Sequence, residues 1–249
     1  MHDLDGKSAL IVGGSSGIGR ATAGLMLAQG TAVWIAGRSE EKLAAALDLL
    51  NAGARARALS FDITDNAAIE EGLAGIEDAS LDALVVTASS AVHGPFAELA
   101  VEDAQAMFQS KFWGPYQVAR AALPKLRDGA SITFFSGVLS RRPGVNCPAL
   151  GAVNAAVEGL ARGLALELGP RLRVNCIAPG MVRTEAYAKV SEDKREAMYE
   201  STGQSLPVGR VGLPEEIAEA TVFAAFNTYL TGQVLDIDGG HMIRQYATR

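Results

Sequence analysis

The chain has 249 residues, a length that fits one large domain or two small ones. Hydrophobic residues make up 49% and charged residues 20%, which supplies a sizeable core and argues against disorder. The net charge of −6 comes with no basic run, so we expect neither nucleic acid nor anionic membrane as a partner.

The N-terminal residues 1–5 lack the basic and apolar pattern of a signal peptide. We expect no apolar run that is long enough to span a bilayer. Two cysteines, Cys147 and Cys176, do not indicate a disulfide in a chain that looks intracellular. The expectation is a soluble cytoplasmic protein.

Short β-branched runs alternate with longer alanine- and leucine-rich helical patterns along the chain. Strands are predicted at 8–12, 32–36, 58–61, 83–87, 131–135, 173–177 and 234–237, and helices at about 17–29, 40–51, 66–75, 101–127, 150–168 and 214–226. The strands are almost continuously apolar, as expected when helices cover both faces of a parallel sheet. The sequence therefore predicts an α/β protein with one Rossmann-type, doubly wound parallel sheet of about seven strands, in a single domain over residues 1–249.

One segment, 183–212, interrupts this alternation. It contains a charged run at 192–196 and two tyrosines, Tyr187 and Tyr199, and no strand follows it directly. An insertion beyond the carboxyl end of a strand is where a substrate lid lies in such folds. We predict a lid here.

A glycine-rich turn follows the first predicted strand and opens the first helix. Its residues are Gly13, Ser15, Ser16, Gly17, Ile18 and Gly19. Such a turn lets the backbone approach a pyrophosphate, and the helix N-terminus supplies free N–H donors and the positive end of the helix dipole. The turn predicts a dinucleotide site.

The end of the second strand indicates which dinucleotide binds. No carboxylate is present there to hold a free ribose 2′-hydroxyl, and Arg38, followed by Ser39, comes about 20 residues after Gly19, the spacing at which an arginine accommodates a 2′-phosphate. This favours NADP(H) over NAD(H). The alternative is that Arg38 is an ordinary surface cation at the start of a loop.

With these motifs in place, the chain resembles the short-chain dehydrogenase/reductase family over essentially its full length. The further matching segments are 61–65, 173–175, 179–184, 231–233 and 238–240. The resemblance implies that Asp62 and Ile63 lie against the adenine and that Ala88 keeps its place in the loop after strand 4. It also implies a nicotinamide pocket lined by Pro179, Gly180, Val182 and Thr184. A homo-oligomer, dimer or tetramer, is implied as well, with the helices at 101–127 and 150–168 forming one interface.

Family enzymes use a tyrosine, a lysine one helical turn later, a serine and an asparagine for proton transfer. An alignment anchored on 155–160 and 164–168 places Leu150 at the tyrosine, Asn154 at the lysine, Gly137 at the serine and Lys111 at the asparagine. All four positions differ from the family. No tyrosine lies between Tyr116 and Tyr187, so a small shift of the alignment does not restore one.

The replacements change which reactions are expected. Leucine neither donates nor accepts a proton, and neutral asparagine does not lower a neighbour's pKa. Losing a general acid typically costs about a hundred- to ten-thousand-fold in rate. Hydride transfer itself mainly needs positioning, so acceptors that need no proton donor, such as an iminium carbon, are not handicapped.

Several residues are candidate substitutes. Lys111 brings an ammonium that would donate a proton or stabilise an alkoxide, or else simply reaches solvent or a backbone carbonyl. Ser136 would orient a substrate oxygen, or else caps a loop. Arg141 and Arg142 would hold an anionic substrate or be solvated, and His93 is a candidate acid that is more often non-catalytic. Tyr187, Tyr199 and Cys147 are not separated from packing residues, and no metal is expected.

Three functions follow from the sequence. The first is an NADP(H)-dependent oxidoreductase with rerouted or unnecessary proton transfer, acting on a small carbonyl or imine-like substrate. The second is a catalytically silent NADP-binding sensor or scaffold. The third is a lyase, isomerase or cyclase that uses the same pocket. The retained motif at 179–184 favours the first.

Overall fold

The computed structural model describes residues 4–188 and 190–244. Seven parallel strands form one sheet in the order β3-β2-β1-β4-β5-β6-β7. The strands are β1 Ser8–Val12, β2 Ala32–Gly37, β3 Ala56–Ser60, β4 Leu81–Val86, β5 Leu126–Phe135, β6 Arg173–Pro179 and β7 Val234–Ile237. The predicted doubly wound parallel sheet is confirmed.

Helices cover both faces of this sheet. They are α1 Gly17–Ala28, α2 Glu40–Leu50, α3 Asn66–Leu73, α4 Val101–Phe108, α5 Gly114–Ala122, α6 Pro148–Leu168, α7 Glu192–Gln204 and α8 Pro214–Phe226. Successive side chains of a strand point to opposite faces, so each face has its own core. On β1, Leu10 packs with Val118 and Val157 of α5 and α6, whereas Ile11 packs with Ala23 of α1.

The predicted helix over 101–127 is wrong in one respect, because the structure divides it. A π-helical turn, Gln109–Trp113, separates α4 from α5, and the Gly114 N–H donates to the Gln109 carbonyl five residues earlier. Pro115 follows and has no N–H with which to continue the regular α-helical pattern. π-turns of this kind are frequent at functional sites, and this one carries Lys111.

The segment 183–212 contains a helix, α7, that the sequence pattern did not predict. Among its side chains only Tyr199 and the small Gly203 are buried, so no apolar stripe marks it. Apart from Ala197 and Met198, the rest of α7 is charged or polar.

The expectation that no run is long enough to span a bilayer also needs correction. By length and mean hydropathy (1.2), α6 meets the criteria for a membrane-spanning helix. In the fold it lies against β5 and β6 and buries Val153, Val157 and Ala161. This is the position of a core helix.

Candidate active site

The glycine-rich turn crosses beneath the loop that follows β4. Gly13 has a φ of +92°, and a Cβ atom there would lie 2.6 Å from the Ala88 nitrogen. A Cβ atom at Gly19 would overlap the Gly13 carbonyl group. Ala88 is fixed from below, since its N–H donates to the Val12 carbonyl at 3.0 Å. The turn is therefore closely packed and admits no larger side chains at Gly13 and Gly19, as a dinucleotide cradle requires.

The N-terminus of α1 is capped by a distant carboxylate. Ser16, the N-cap residue, makes no side-chain capping bond, and the first turn contains no acidic residue. Glu185 Oε2 instead accepts a hydrogen bond from the Gly17 N–H at 2.9 Å. Its other oxygen, Oε1, pairs with Arg20 at 2.8 Å. The free N–H groups and the positive dipole end of a helix N-terminus attract anions, and here they bind a carboxylate of the chain itself.

A basic and an acidic side chain, Arg38 and Asp62, lie just beyond the carboxyl ends of β2 and β3. Arg38 is 74% exposed and lies 3.6 Å from Asp62 Oδ2. Burial alone would raise the pKa of Asp62, but hydrogen bonds from Thr64 and the charge of Arg38 outweigh it and lower that pKa. Ser39 caps α2 by accepting from the Lys42 N–H at 3.3 Å. Ile63 is buried in the core, in contact with the start of α5.

The segment after β6 is held by the turn that follows β7. The Gly180 N–H donates to the Ile237 carbonyl at 3.0 Å, and a Cβ atom at Gly180 would lie 2.9 Å from Asp238 Cα. Val182 is buried and bridges to Gly212. Thr184 then caps a short 3-10 turn, Glu185–Tyr187, which begins at the residue that caps α1.

The four positions aligned with the family's catalytic residues converge on α6. Asn154 Nδ2 donates to the Gly137 carbonyl at 3.4 Å. Leu150 lies in an apolar cluster with Met107 and Val153. The π-turn that carries Lys111 packs against the same helix.

Asn154 has a buried oxygen without a partner. The side chain is 2% exposed, and its Oδ1 accepts no hydrogen bond from the described residues. A buried acceptor of this kind costs free energy unless a donor reaches it. A hydroxyl group of a bound dinucleotide would satisfy it, so this atom, together with the glycine cradle, fits such a cofactor.

Lys111 is a buried amine. It is 7% exposed and makes no hydrogen bond or ion pair with the residues that the structure describes. Burial lowers its pKa to about 8, an effect that Cys176 opposes only in part. Because burial raises the pKa of the Cys176 thiol to about 11, that thiol is neutral at pH 7 and does not balance the charge of Lys111.

Ser136 is engaged inside the fold. Its hydroxyl donates to Glu158 Oε1 at 3.1 Å, and Ser140 donates to the same oxygen at 2.5 Å. Arg141 approaches the other oxygen of Glu158 at 3.5 Å and also pairs with Asp236 of β7. In this structure the Ser136 hydroxyl and the Arg141 guanidinium therefore both bind the buried carboxylate of Glu158.

The remaining candidates lie on the loops around α6. Arg142 donates to the Met242 and Arg244 carbonyls, which engages it within the fold. His93 Nδ1 lies 3.3 Å from Cys147 Sγ, at the start of α6, and burial raises the pKa of that thiol. Tyr187 and Tyr199 meet edge to face, with ring centroids 5.8 Å apart.

Sequence reasoning missed the roles of two carboxylates. Glu158 was used only to anchor the alignment, and Glu185 was not considered. A signal existed for Glu158, because a carboxylate in an apolar stretch of a predicted core helix needs partners. For Glu185 there was none, since its partner Gly17 is 168 residues away along the chain.

Known proteins resemble this chain in sequence and in fold. The profile of the Enoyl-(Acyl carrier protein) reductase family matches residues 12–242. The chain is 32% identical to the 3-oxoacyl-acyl-carrier-protein reductase FabG of Chlamydia trachomatis, over 95% of this chain and 98% of that protein. A small-chain dehydrogenase solved in complex with NADPH is 37% identical, with a TM-score of 0.81 over 94% of this chain and 97% of that one.

A third relative is the MalC Reductase/Diels-Alderase of Malbranchea aurantiaca. Its solved structure is 31% identical and has a TM-score of 0.87, over 97% of this chain and 98% of that one. The family profile covers nearly the whole sheet, and these relatives align along almost their entire length. The chain belongs to the short-chain dehydrogenase/reductase family.

Proposed function

We propose that the protein is an NADP(H)-dependent oxidoreductase that acts on a small carbonyl or imine-like substrate without the family's tyrosine. The observation that carries this proposal is the retained glycine cradle beside a site in which Leu150 replaces the proton donor. A bound nicotinamide cofactor supplies a hydride. The chain's own residues position the reactants and hold the protons.

Arg38 supports the choice of NADP(H). Its guanidinium is exposed at the end of β2, near Asp62, and is available to a 2′-phosphate. One relative was solved with NADPH. A phosphate at this position would compete with Asp62 for the arginine, so we expect Arg38 to exchange one anion for the other.

Lys111 is the proposed proton source for a carbonyl substrate. With a pKa of about 8 and no anionic partner, its ammonium gives up a proton readily to a developing alkoxide. An imine-like substrate that is already cationic needs no such donor. The two substrate classes therefore differ in their expected dependence on Lys111.

A second candidate function is a cyclisation without net redox change. Leu150, Met107 and Val153 form an apolar cluster beside the site, and Phe108, Phe112 and Leu139 pack against it. The partly buried residues around this cluster would contact an apolar substrate and hold it in one conformation. The name of the MalC relative includes a Diels-Alderase activity, which makes this candidate worth testing.

The proposal also includes a cytoplasmic location and a homo-oligomeric state. The experiment that tests the function combines NADPH and NADH binding titrations with NADPH consumption on ketones, quinones and cyclic imines. Tight NADPH binding with turnover on one class supports the oxidoreductase. Tight binding without turnover on any class contradicts it and favours a sensor or cyclase. Binding of neither nucleotide contradicts both the oxidoreductase and the sensor.

A further inference from the structure

Glu185 lies at the N-terminus of α1, where the proposed cofactor would bind through its pyrophosphate. Its two oxygens hold separate partners, the Gly17 N–H at 2.9 Å and the Arg20 guanidinium at 2.8 Å. Gly17 has a φ of +50°, and a Cβ atom there would lie 3.4 Å from Thr184. The chain around Glu185 therefore packs directly on the first turn of α1.

A pyrophosphate and this carboxylate have the same electrostatic requirements. Both are stabilised by the free N–H groups and the positive dipole end of α1. One N–H group does not serve both anions well, and two negative charges at one helix terminus repel each other. A dinucleotide that reaches the Gly17 N–H must displace Glu185.

Glu185 also controls the start of segment 183–212. It begins the 3-10 turn Glu185–Tyr187, directly after the cap residue Thr184. The neighbouring Arg183 binds Glu196 of α7 at 2.5 Å, so the first residues of the segment and its helix are tied together. Movement of Glu185 away from α1 would be passed to α7 through this pair.

The structure provides space for that movement. A cleft of about 510 Å³ lies between α1 and segment 183–212, and Gly17, Arg20, Glu185, Arg195 and Tyr199 line it. Arg195 forms no ion pair with the described residues and is an available partner for a displaced carboxylate.

We propose that Glu185 is an internal substitute for the cofactor phosphate, which holds segment 183–212 against α1 until a dinucleotide displaces it. The proposal rests on the proposed function, because it takes the α1 N-terminus as the pyrophosphate site. It makes cofactor binding and opening of the segment one coupled event. Without a dinucleotide, segment 183–212 is held against α1. With a dinucleotide bound, the segment is free to move and admit the substrate.

The test uses Glu185→Gln, which removes the charge but keeps the size, and Glu185→Ala, which removes the acceptor. Glu192→Gln is the matched control, because it makes the same charge change in the same segment at a residue with no ion pair among those described. NADPH affinity is measured by fluorescence titration. Opening is measured without nucleotide as the rate of tryptic cleavage after Lys194 or Arg195, located by mass spectrometry.

Both Glu185 variants are expected to bind NADPH about three- to tenfold more tightly than wild type, because a competing anion is gone. Their lid cleavage is expected to be at least about threefold faster, whereas Glu192→Gln matches wild type in both measurements. An unchanged thermal unfolding midpoint shows that faster cleavage is local.

Unchanged affinity together with unchanged cleavage overturns the latch. Tighter binding without faster cleavage overturns the coupling to segment 183–212. If neither wild type nor any variant binds NADPH, the proposed function fails and with it the exchange of Glu185 for a phosphate, whereas faster cleavage in both Glu185 variants would still show that Glu185 holds segment 183–212 against α1. The two proposals are therefore distinguishable.

Discussion

Lys111 places an amine inside the fold, since the residue is only 7% exposed. The pKa of about 8 means that the folded protein binds the proton less strongly than the unfolded chain, in which a lysine titrates near 10.4. The desolvated ammonium therefore destabilises the fold at neutral pH. A residue that costs stability is retained for a reason other than packing, which agrees with a role at the site.

We predict that Lys111→Met is more stable than wild type at pH 7. Between the folded pKa of about 8 and the unfolded value, the unfolded chain holds a proton that the folded protein has lost, so wild-type stability rises with pH in this window. The rise corresponds to about 3 kcal/mol in the free energy of unfolding. Urea unfolding of both proteins from pH 7 to 10.5 measures it.

The quantity to compare is the difference in the free energy of unfolding between Lys111→Met and wild type, because the other titratable groups are the same in both proteins. It should be largest below about pH 8 and should shrink as the pH rises to 10.5. A difference that does not change with pH would show that Lys111 is solvated in the folded protein.

The cofactor preference depends on Arg38. Replacing it with alanine removes a charged donor from the 2′-phosphate, and we expect NADPH to bind about ten- to a hundredfold more weakly while NADH affinity changes little. Titration with each nucleotide measures this. Arg57→Ala is the control, since Arg57 is a cation on neighbouring β3 that stacks on Trp34. An equal loss of affinity for NADPH and NADH would mean that Arg38 does not recognise the 2′-phosphate.

At the scale of elements, α6 organises the site. One of its faces carries Leu150 and Asn154, and Glu158 continues the helix one turn further. Glu158 joins α6 to the loop after β5 and, through Arg141, to β7. Removing Arg141 would leave the buried Glu158 carboxylate with only hydroxyl partners. Breaking a buried ion pair in this way is destabilising, because one charge stays buried without its partner.

The spacing on α6 allows the missing chemistry to be rebuilt. We predict that Leu150→Tyr with Asn154→Lys gains ketone reduction by about a hundredfold or more over wild type, since the ammonium stabilises the phenolate. Both positions are buried, so the larger side chains should cost about 1–3 kcal/mol of stability. NADPH oxidation with a ketone panel measures the gain.

The single variant Leu150→Tyr is the control, because without Asn154→Lys the phenol keeps a pKa nearer its ordinary value of about 10 and is a weaker proton donor. Lys111→Asn added to the double variant removes a second buried amine nearby. If neither the double nor the triple variant reduces any ketone, although both fold and bind NADPH, the pocket lacks more than its proton donor.

Elements with a clear hydrophobic pattern were predictable from the sequence. All seven strands were found because most of them are almost continuously apolar and are bounded by turns. The break at Gln109–Trp113 was missed, although Gly114 and Pro115 directly after it are residues that interrupt helices. α7 was missed because it buries only Tyr199 and Gly203, so tertiary contacts and not periodicity maintain it.

At the scale of the whole molecule, the sequence predicts the parts of the candidate site that backbone conformation defines. It does not predict the contacts between side chains that are far apart along the chain. Gly13 and Gly19 mark the cradle in the sequence because only glycine fits there. The contacts of Glu185 with Gly17 and of Arg141 with Asp236 join residues 168 and 95 positions apart. No local pattern encodes such pairs, since only the folded chain brings the segments that carry these residues together.

The outer surface of the π-turn and α5 leads to a prediction about assembly. Trp113 is 47% exposed and Tyr116 is 37% exposed, and their rings meet edge to face at 5.8 Å. Single exposed apolar residues are ordinary, but neighbouring aromatic side chains indicate an interface, and the family resemblance places one on these helices. We therefore expect a homo-oligomer, a dimer or a tetramer, of the 25.9 kDa chain.

Trp113→Glu should reduce the mass measured by light scattering, because burying a carboxylate in an apolar interface costs several kcal/mol. Leu49→Glu is the control, since Leu49 is 69% exposed on α2, a helix outside the expected interface. Wild type that is already monomeric contradicts the prediction, as does a Trp113→Glu variant of unchanged mass. Loss of assembly should leave the glycine cradle intact, because Gly13, Gly19 and Ala88 contact one another within a single chain. NADPH binding by the dissociated variant would therefore separate assembly from cofactor recognition.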